Sequence, residues 1–582
     1  MYQFKKLAPF FKKYWYKYML GVLFIIIVDI LQISIPPILG SLVEAFKQGT
    51  AKTSTIGKYA LIILFVAIAM AVLKYLWRVY IMGTSRLLET YLRHNLFSHL
   101  QTLSQNFFNS HKTGDLMAYA TNDIGLVQQM FSMGIVYLVD FVVLTFASMF
   151  MMVFMCNLKL MLAALSPMVL LVFIILKFVK TMHQRFKESQ EAFGLLSDCV
   201  QENFSGIRVV KSFVQEKSEV EKFTRINENN MNKNMRVARM WSLAFPVVMF
   251  IASLSFIITL VYGGILVIHK EITLGDFIAF NGFLGILIWP MMALGWVVGL
   301  VERGSASMER LNELMDEKPE IFDAEHVKAI NELYGKIDIR NLTFTYPGND
   351  TPVLRDISLT IEPGKTLAIV GKTGSGKSTL VNLLMRIYNV EREQIFIDEM
   401  DIHDIPINVL RGSAGCVPQD NYLFSNTVKA NIDFFSGATM EQIEEAARAA
   451  HVYEDIQGFP NQFNTVLGER GVSLSGGQKQ RISIARALVR NPKMLILDDS
   501  LSAVDAQTEE RIVKSLQEFI ADRTCIIISH RISTVKYADQ IVVMDEGRIV
   551  ERGTHEELLE LCGLYEDMYR KQLLEDKIEH EE

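Results

Sequence analysis

The sequence predicts two joined folds: a polytopic α-helical membrane domain of six transmembrane helices with long cytoplasmic extensions, then an α/β domain built on a parallel sheet. Three observations carry this expectation. Half of the 582 residues are hydrophobic, yet nearly all the long apolar runs lie in the first 300 or so. In the second half, Gly371-Lys372-Thr373-Gly374-Ser375-Gly376-Lys377-Ser378-Thr379 joins the strand-like Thr366–Val370 to the helix-like Leu380–Met385. Further on, the apolar run Met494–Leu497 ends on two carboxylates, Asp498 and Asp499. A strand buried on both faces reads this way, and its last residue stands at the carboxyl edge of its sheet. A chain of this length exceeds one hydrophobic core, so at least two domains are expected.

The elements follow in order. Phe4–Lys17 mixes lysines with aromatic residues, which suits a short helix lying in the membrane interface. A signal peptide fits less well, because the next apolar segment is too long and shows no small-residue cleavage site. Six apolar segments then centre on Tyr18–Gly40, Tyr59–Leu76, Gly134–Met155, Leu160–Val179, Leu243–Ile268 and Phe277–Leu300. The N-terminal lysines favour a cytoplasmic N-terminus in a cell membrane, and an even number of spans returns the second half to the cytoplasm. Long polar, helix-patterned stretches separate spans two and three and spans four and five. Cys156-Asn157 and His269–Thr273 make tight external connections. Asp29 and Asp140 fall inside spans, where an ionised carboxylate costs several kcal/mol unless paired or wet; a substrate pathway and a structural hydrogen bond both fit. Met149, Met151, Met152, Phe250 and Phe256 suit helix packing or lipid contact better than an adaptable cavity lining.

Asp316-Glu317-Lys318-Pro319 breaks the last helical pattern. The membrane domain is therefore placed at 1–315, a linker at 316–335, the second domain at 336–574 and a frayed acidic tail at 575–582. Cys156, Cys199, Cys416, Cys525 and Cys562 are scattered without metal-ligand spacing and read as reduced thiols. A net charge of -6 and the lack of a basic patch give no footprint for nucleic acid.

The glycine-rich segment carries chemistry. Its glycines let successive backbone N–H groups turn toward phosphate oxygens, and the following helix N-terminus adds positive potential. Lys377 then reaches the outer phosphates of ATP. Ser378 offers a hydroxyl to Mg2+, and Asp498 completes that shell from the neighbouring strand.

Between these two motifs, Leu474-Ser475-Gly476-Gly477-Gln478 precedes the helical stretch Lys479–Val489. The P-loop, this signature and the Leu497-Asp498-Asp499 strand end, in this order, resemble the ATP-binding cassette. With six spans before it, the whole chain resembles an ABC exporter half-transporter. The resemblance implies an α/β P-loop NTPase domain with a helical subdomain, and it assigns further roles by position. Tyr346, in Phe344-Thr345-Tyr346-Pro347, matches the aromatic residue that stacks on adenine. Gln419, in Val417-Pro418-Gln419-Asp420, matches the glutamine that touches Mg2+ and relays nucleotide state to the membrane helices. His530, after the strand-like Cys525–Ser529, matches the switch histidine that senses the terminal phosphate. Ser475, Gly476, Gly477 and Gln478 match the signature that closes on a partner's nucleotide. Glu469 matches a loop directed at the membrane domain, and Asp505 a loop crossing between paired cassettes. Phe107–Leu116 and Glu202–Phe213 resemble the two coupling segments.

One position departs from the family pattern. The residue after the strand-ending aspartate is a glutamate in competent sites, placed to polarise the attacking water; here it is Asp499. Losing a methylene withdraws the carboxylate by roughly 1 Å, and misplacement of that order lowers a rate about a hundredfold. The resemblance then implies the slow-site subunit of a heterodimeric bacterial multidrug exporter. Its partner would be a second half-transporter carrying glutamate, and it would export amphipathic drugs or lipids across the bilayer. A homodimeric exporter tolerating aspartate and an ATP-gated channel on the same fold are the rival readings. Six spans exclude a soluble ATPase such as a DNA-repair cassette. The fold does not define the substrate.

Overall fold

The computed structural model describes residues 2–50, 52–324, 327, 330–468, 474–501, 506–520 and 522–581. They form two compact units, one of Met1–Gln101 with Thr113–Glu317, the other of Thr102–Lys112 with Lys318–Glu582.

The first unit is helical. Helices α1 (Gln3–Lys47), α2 (Thr53–Leu100), α3 (Thr113–Met155), α5 (Glu216–Ile268) and α6 (Leu274–Asp316) are long and apolar enough to cross a membrane. Helix α4 (Leu158–Ser205) covers the segment expected as the fourth span. Its described apolar stretch, Leu158–Leu170, falls short of a full crossing, so five spans rather than six qualify among the described residues. Phe4–Lys17 is not a separate interfacial helix. A 3-10 turn, Tyr2–Leu7, runs directly into Ala8–Lys47, with Pro9 in the first turn, where its missing N–H costs nothing. Helix α6 opens with a capping box in which Thr273 and Asp276 satisfy each other's backbone N–H groups. Phe280, Phe283, Leu284 and Leu287 on α6 are wholly buried, and their spacing defines one helix face. By contrast Leu61, Phe65 and Tyr75 on α2 lie exposed, as suits a surface solvated by lipid tails. At the end of α6, Lys6 pairs with Asp316 at 2.7 Å and Asn312 donates to the Gln3 carbonyl at 2.7 Å.

The second unit contains two sheets. Strands β1 (Ile337–Phe344), β2 (Leu354–Ile361), β4 (Ile395–Ile397) and β5 (Met400–Asp401) form an antiparallel sheet in the order β2-β1-β4-β5. Strands β3 (Thr366–Gly371), β6 (Ala414–Val417), β7 (Met494–Asp498), β8 (Thr524–Ile528), β9 (Gln540–Asp545) and β10 (Arg548–Gly553) form the other, in the order β10-β9-β3-β8-β7-β6. All its pairings are parallel except β9 with β10. Side chains alternate between two cores: Ala368, Val370, Leu495 and Leu497 face one, and Leu367, Ile369, Met494 and Ile496 the other. Both faces are thus covered, which is why these strands read as unbroken apolar runs.

Helices flank these sheets. Helix α7 (Lys377–Leu384) follows β3, and α8 (Gly476–Leu488) packs with the short helices Val428–Asp433 and Met440–Ala449 through Ile432, Ile443, Ala447 and Ile482. Helix α9 (Ala506–Ile520) precedes β8. The chain ends in α10 (Leu564–Glu581), so residues assigned to a frayed tail lie largely within a helix.

Candidate nucleotide site

The order β3-β8-β7-β6 brings four carboxyl strand ends to one edge of the sheet. From β3 comes the P-loop, from β8 His530, from β7 Asp498 and Asp499, and from β6 the loop with Gln419. Ligand sites of open parallel sheets form along this edge.

In the P-loop, Gly374 and Gly376 adopt φ of +84° and +99°. At Gly376 a Cβ would also collide with the Leu354 side chain, so no other residue fits without displacement. Gly371, Lys372, Thr373 and Ser375 complete the turn, and the Ser375 N–H donates to the Lys372 carbonyl at 3.2 Å. Lys377 is buried and folded along the loop. Its Nζ donates to the carbonyls of Gly371 at 2.9 Å and Lys372 at 2.8 Å. Burial lowers its pKa, and the nearby Asp498 and Asp499 carboxylates act against that shift.

Ser378 Oγ donates to Asp498 Oδ1 at 3.1 Å. Asp498 is only 4% exposed, and burial raises its pKa while the Ser378 bond lowers it. A hydroxyl and a carboxylate side by side form a hard oxygen donor set, which fits Mg2+. Asp499 is half-buried in the left-handed region, φ +46°, and its N–H donates to the Ile528 carbonyl at 2.9 Å. Its backbone is therefore pinned to β8. His530 is half-buried and Gln419 exposed.

Tyr346 stands beside this loop. Its hydroxyl donates to Thr379 Oγ1 at 3.0 Å, and its ring meets Phe344 and Tyr388 edge-on at 5.1 and 5.0 Å. Ser475 caps α8: its Oγ accepts from the Gln478 N–H at 3.2 Å and the Gln478 side chain accepts from the Ser475 N–H at 3.1 Å. Ser475 and Gly476 are exposed, so the N-terminus of this 13-residue helix is open to an anion. Gly477 is the next residue of that first turn. Glu469 and Asp505 lie outside the described residues.

Sequence reasoning missed several polar ties. Within the second unit, Ser104 and Asn106 donate to the Glu320 carboxylate at 2.7 and 3.0 Å, and Asn109 donates to the Tyr388 hydroxyl at 2.8 Å. Arg486 donates to the carbonyls of Asn431 at 2.7 Å and Tyr422 at 2.9 Å, joining α8 to the loop that follows Gln419. No local pattern marks such partners, because they are distant in sequence.

Comparison with known proteins accords with this geometry. Residues 18–291 match the family described as "ABC transporter transmembrane region", and residues 354–502 match "ABC transporter". The chain is 41% identical over 571 residues, 98% of its length and 97% of the relative's, to "Probable multidrug resistance ABC transporter ATP-binding/permease protein YheI" of Bacillus subtilis (strain 168). The chain belongs to the ABC transporter family. It is an exporter half-transporter, one membrane domain fused to one cassette, and it couples ATP hydrolysis to transport. It is also 37% identical over 491 residues, 84% of its length and 81% of the relative's, to the "ATP-dependent lipid A-core flippase" of Syntrophus aciditrophicus (strain SB). Among solved structures, "Structure of a bacterial Atm1-family ABC exporter with ATP bound" aligns with a TM-score of 0.80 at 26% identity, covering 95% of this chain and 97% of that one.

Proposed function

We propose that this half-transporter exports amphipathic drugs or lipids by alternating access, as the slow-site half of a heterodimer in a bacterial cell membrane. The observation that carries the slow site is Asp499, one methylene short and fixed by its backbone bond to Ile528. Export of amphipathic compounds is supported by relatives named for multidrug resistance and lipid A-core flipping.

In this reading the chain has six spans, the fourth on α4, and its N-terminus and cassette are cytoplasmic. The membrane domain covers 1–315, the linker 316–335 and the cassette 336–574. Lys377 and the P-loop N–H groups hold the phosphates, and the Tyr346 ring faces adenine. Ser378, Asp498 and Gln419 would hold Mg2+, which would supply positive charge to offset that of the phosphates. Asp499 orients the attacking water weakly, and His530 contacts the terminal phosphate. Ser475, Gly476, Gly477 and Gln478 serve the partner's nucleotide at the α8 N-terminus. The test is ATPase and transport in proteoliposomes. Hydrolysis stimulated by an amphipathic substrate, with net uphill movement, is expected. Passive flux that needs ATP binding without turnover would replace export by a gated channel.

A further inference from the structure

We propose that Gln572 is a positioning residue for His530, so that the C-terminal helix α10 sets the geometry of the switch turn. The inference rests on the reading of His530 as the group that contacts the terminal phosphate. Helix α10 is anchored at its start, where the backbone N–H groups of Leu564 and Tyr565 both donate to the Glu551 carboxylate. Tyr565 is wholly buried, and its hydroxyl lies 2.8 Å from His555 Nδ1. Met568 and Tyr569 continue the same face against the core, and two turns beyond Tyr565 that face presents Gln572.

The carboxamide grips the turn at two points. Gln572 Nε2 donates to the His530 carbonyl, and Gln572 Oε1 accepts the Ile532 N–H at 2.8 Å. The carboxamide supplies the donor and the acceptor this arrangement needs; a carboxylate would set oxygen against the His530 carbonyl. These bonds hold the two peptide planes that flank Arg531, and the first of them is the plane on the carboxyl side of His530, so they restrict how that residue's backbone, and with it its side chain, can turn. Helix α9 holds the same turn through Glu509, a buried carboxylate that accepts from Arg531 and from Thr534 Oγ1. With Glu509 retained, loss of Gln572 loosens the turn without releasing it.

The test uses the purified exporter carrying Asp499→Glu, so that hydrolysis at this chain's own P-loop is measurable. Adding Gln572→Met, which keeps shape and removes both hydrogen bonds, is expected to lower hydrolysis at this chain's own P-loop, read in a single turnover, about tenfold with ATP affinity and melting temperature unchanged. In a His530→Ala background the same change is expected to do nothing further, because the two side chains act through one contact. An unaltered single-turnover rate, losses that multiply in the double variant, or a loss that tracks a falling melting temperature would each overturn the proposal. Should Asp499→Glu leave hydrolysis as it was, the slow-site reading fails instead. The same comparisons made by single-turnover hydrolysis with Asp499 in place then decide on Gln572.

Discussion

Replacing Asp499 by glutamate separates one fast site from two slow ones. The residue's N–H is bonded to the Ile528 carbonyl at 2.9 Å and its φ is +46°, so the backbone cannot slide forward to compensate for the short side chain. The added methylene moves the carboxylate outward by roughly 1 Å, a distance that can be worth about a hundredfold in rate, or about 2.7 kcal/mol of barrier. In a heterodimer whose partner already turns over quickly, restoring the second site adds at most one more fast site. Steady-state phosphate release should then rise by no more than about twofold. In a homodimer both sites are slow, and the rise approaches a hundredfold, on the order of the whole misplacement penalty.

Asparagine supplies the converse. Asp499→Asn should leave most activity in a heterodimer and remove nearly all of it in a homodimer. The glutamate variant also has a structural cost, since aspartate tolerates the left-handed region better than glutamate; about 1 kcal/mol is expected, read as a melting shift of roughly 2–4 °C. A near-hundredfold gain would refute the heterodimer. No gain in single-turnover hydrolysis at this chain's own P-loop would refute the argument from reach.

Four further outcomes are expected. Lys377→Ala should weaken nucleotide binding at the chain's own site, measured with a labelled analogue at equilibrium, because Nζ is the main mobile positive charge there. Tyr346→Ala should weaken ATP binding more than Tyr346→Phe; the latter gives up only the hydrogen bond to Thr379, worth about 1 kcal/mol. Gly477→Glu should abolish most ATPase of the assembled exporter, since a carboxylate in the first turn of α8 repels phosphate; it should be far more damaging than Asp499→Asn. Asp115→Ala and Arg208→Ala, both exposed, should reduce transport in vesicles while ATP binding stays unchanged.

Much of the nucleotide site was legible because its strands are buried on both faces. Thr366–Val370, Met494–Asp498 and Cys525–Ser529 read as apolar runs ending in chemistry, and each forms a strand within one or two residues of the expected span. The signature helix begins earlier than its apolar pattern, at Gly476, because the reciprocal bonds of Ser475 and Gln478 stabilise a turn that glycine propensity opposes. Other features had no local signal. An aromatic-lysine stretch reads alike whether it starts a helix in the interface or continues into a span, and here Ala8–Lys47 is unbroken. The segment Thr102–Lys112 clusters with the cassette rather than with its sequence neighbours, through Glu320 and Tyr388. Gln572 looks like any polar residue on an amphipathic helix until its partners are seen.

The proposed function asks one chain to serve two nucleotides. In the proposed reading Gln419, in the loop after β6, serves the chain's own P-loop, while the exposed Ser475 and Gly476 at the α8 N-terminus serve the partner's nucleotide. Arg486, on the third turn of α8, holds the Tyr422 and Asn431 carbonyls through its guanidinium fork and Asn431 Oδ1 at 3.0 Å. A lysine could keep the charge but not these three directions at once. The Arg486 guanidinium therefore ties α8 to the loop that follows Gln419 at Tyr422 and to Asn431. If the two nucleotides are coupled within this chain, Arg486→Lys should weaken that coupling while sparing nucleotide affinity at the P-loop. The measurement is ATPase at the partner's site as a function of nucleotide bound at this one. Equal dependence in the two proteins would mean that coupling bypasses α8.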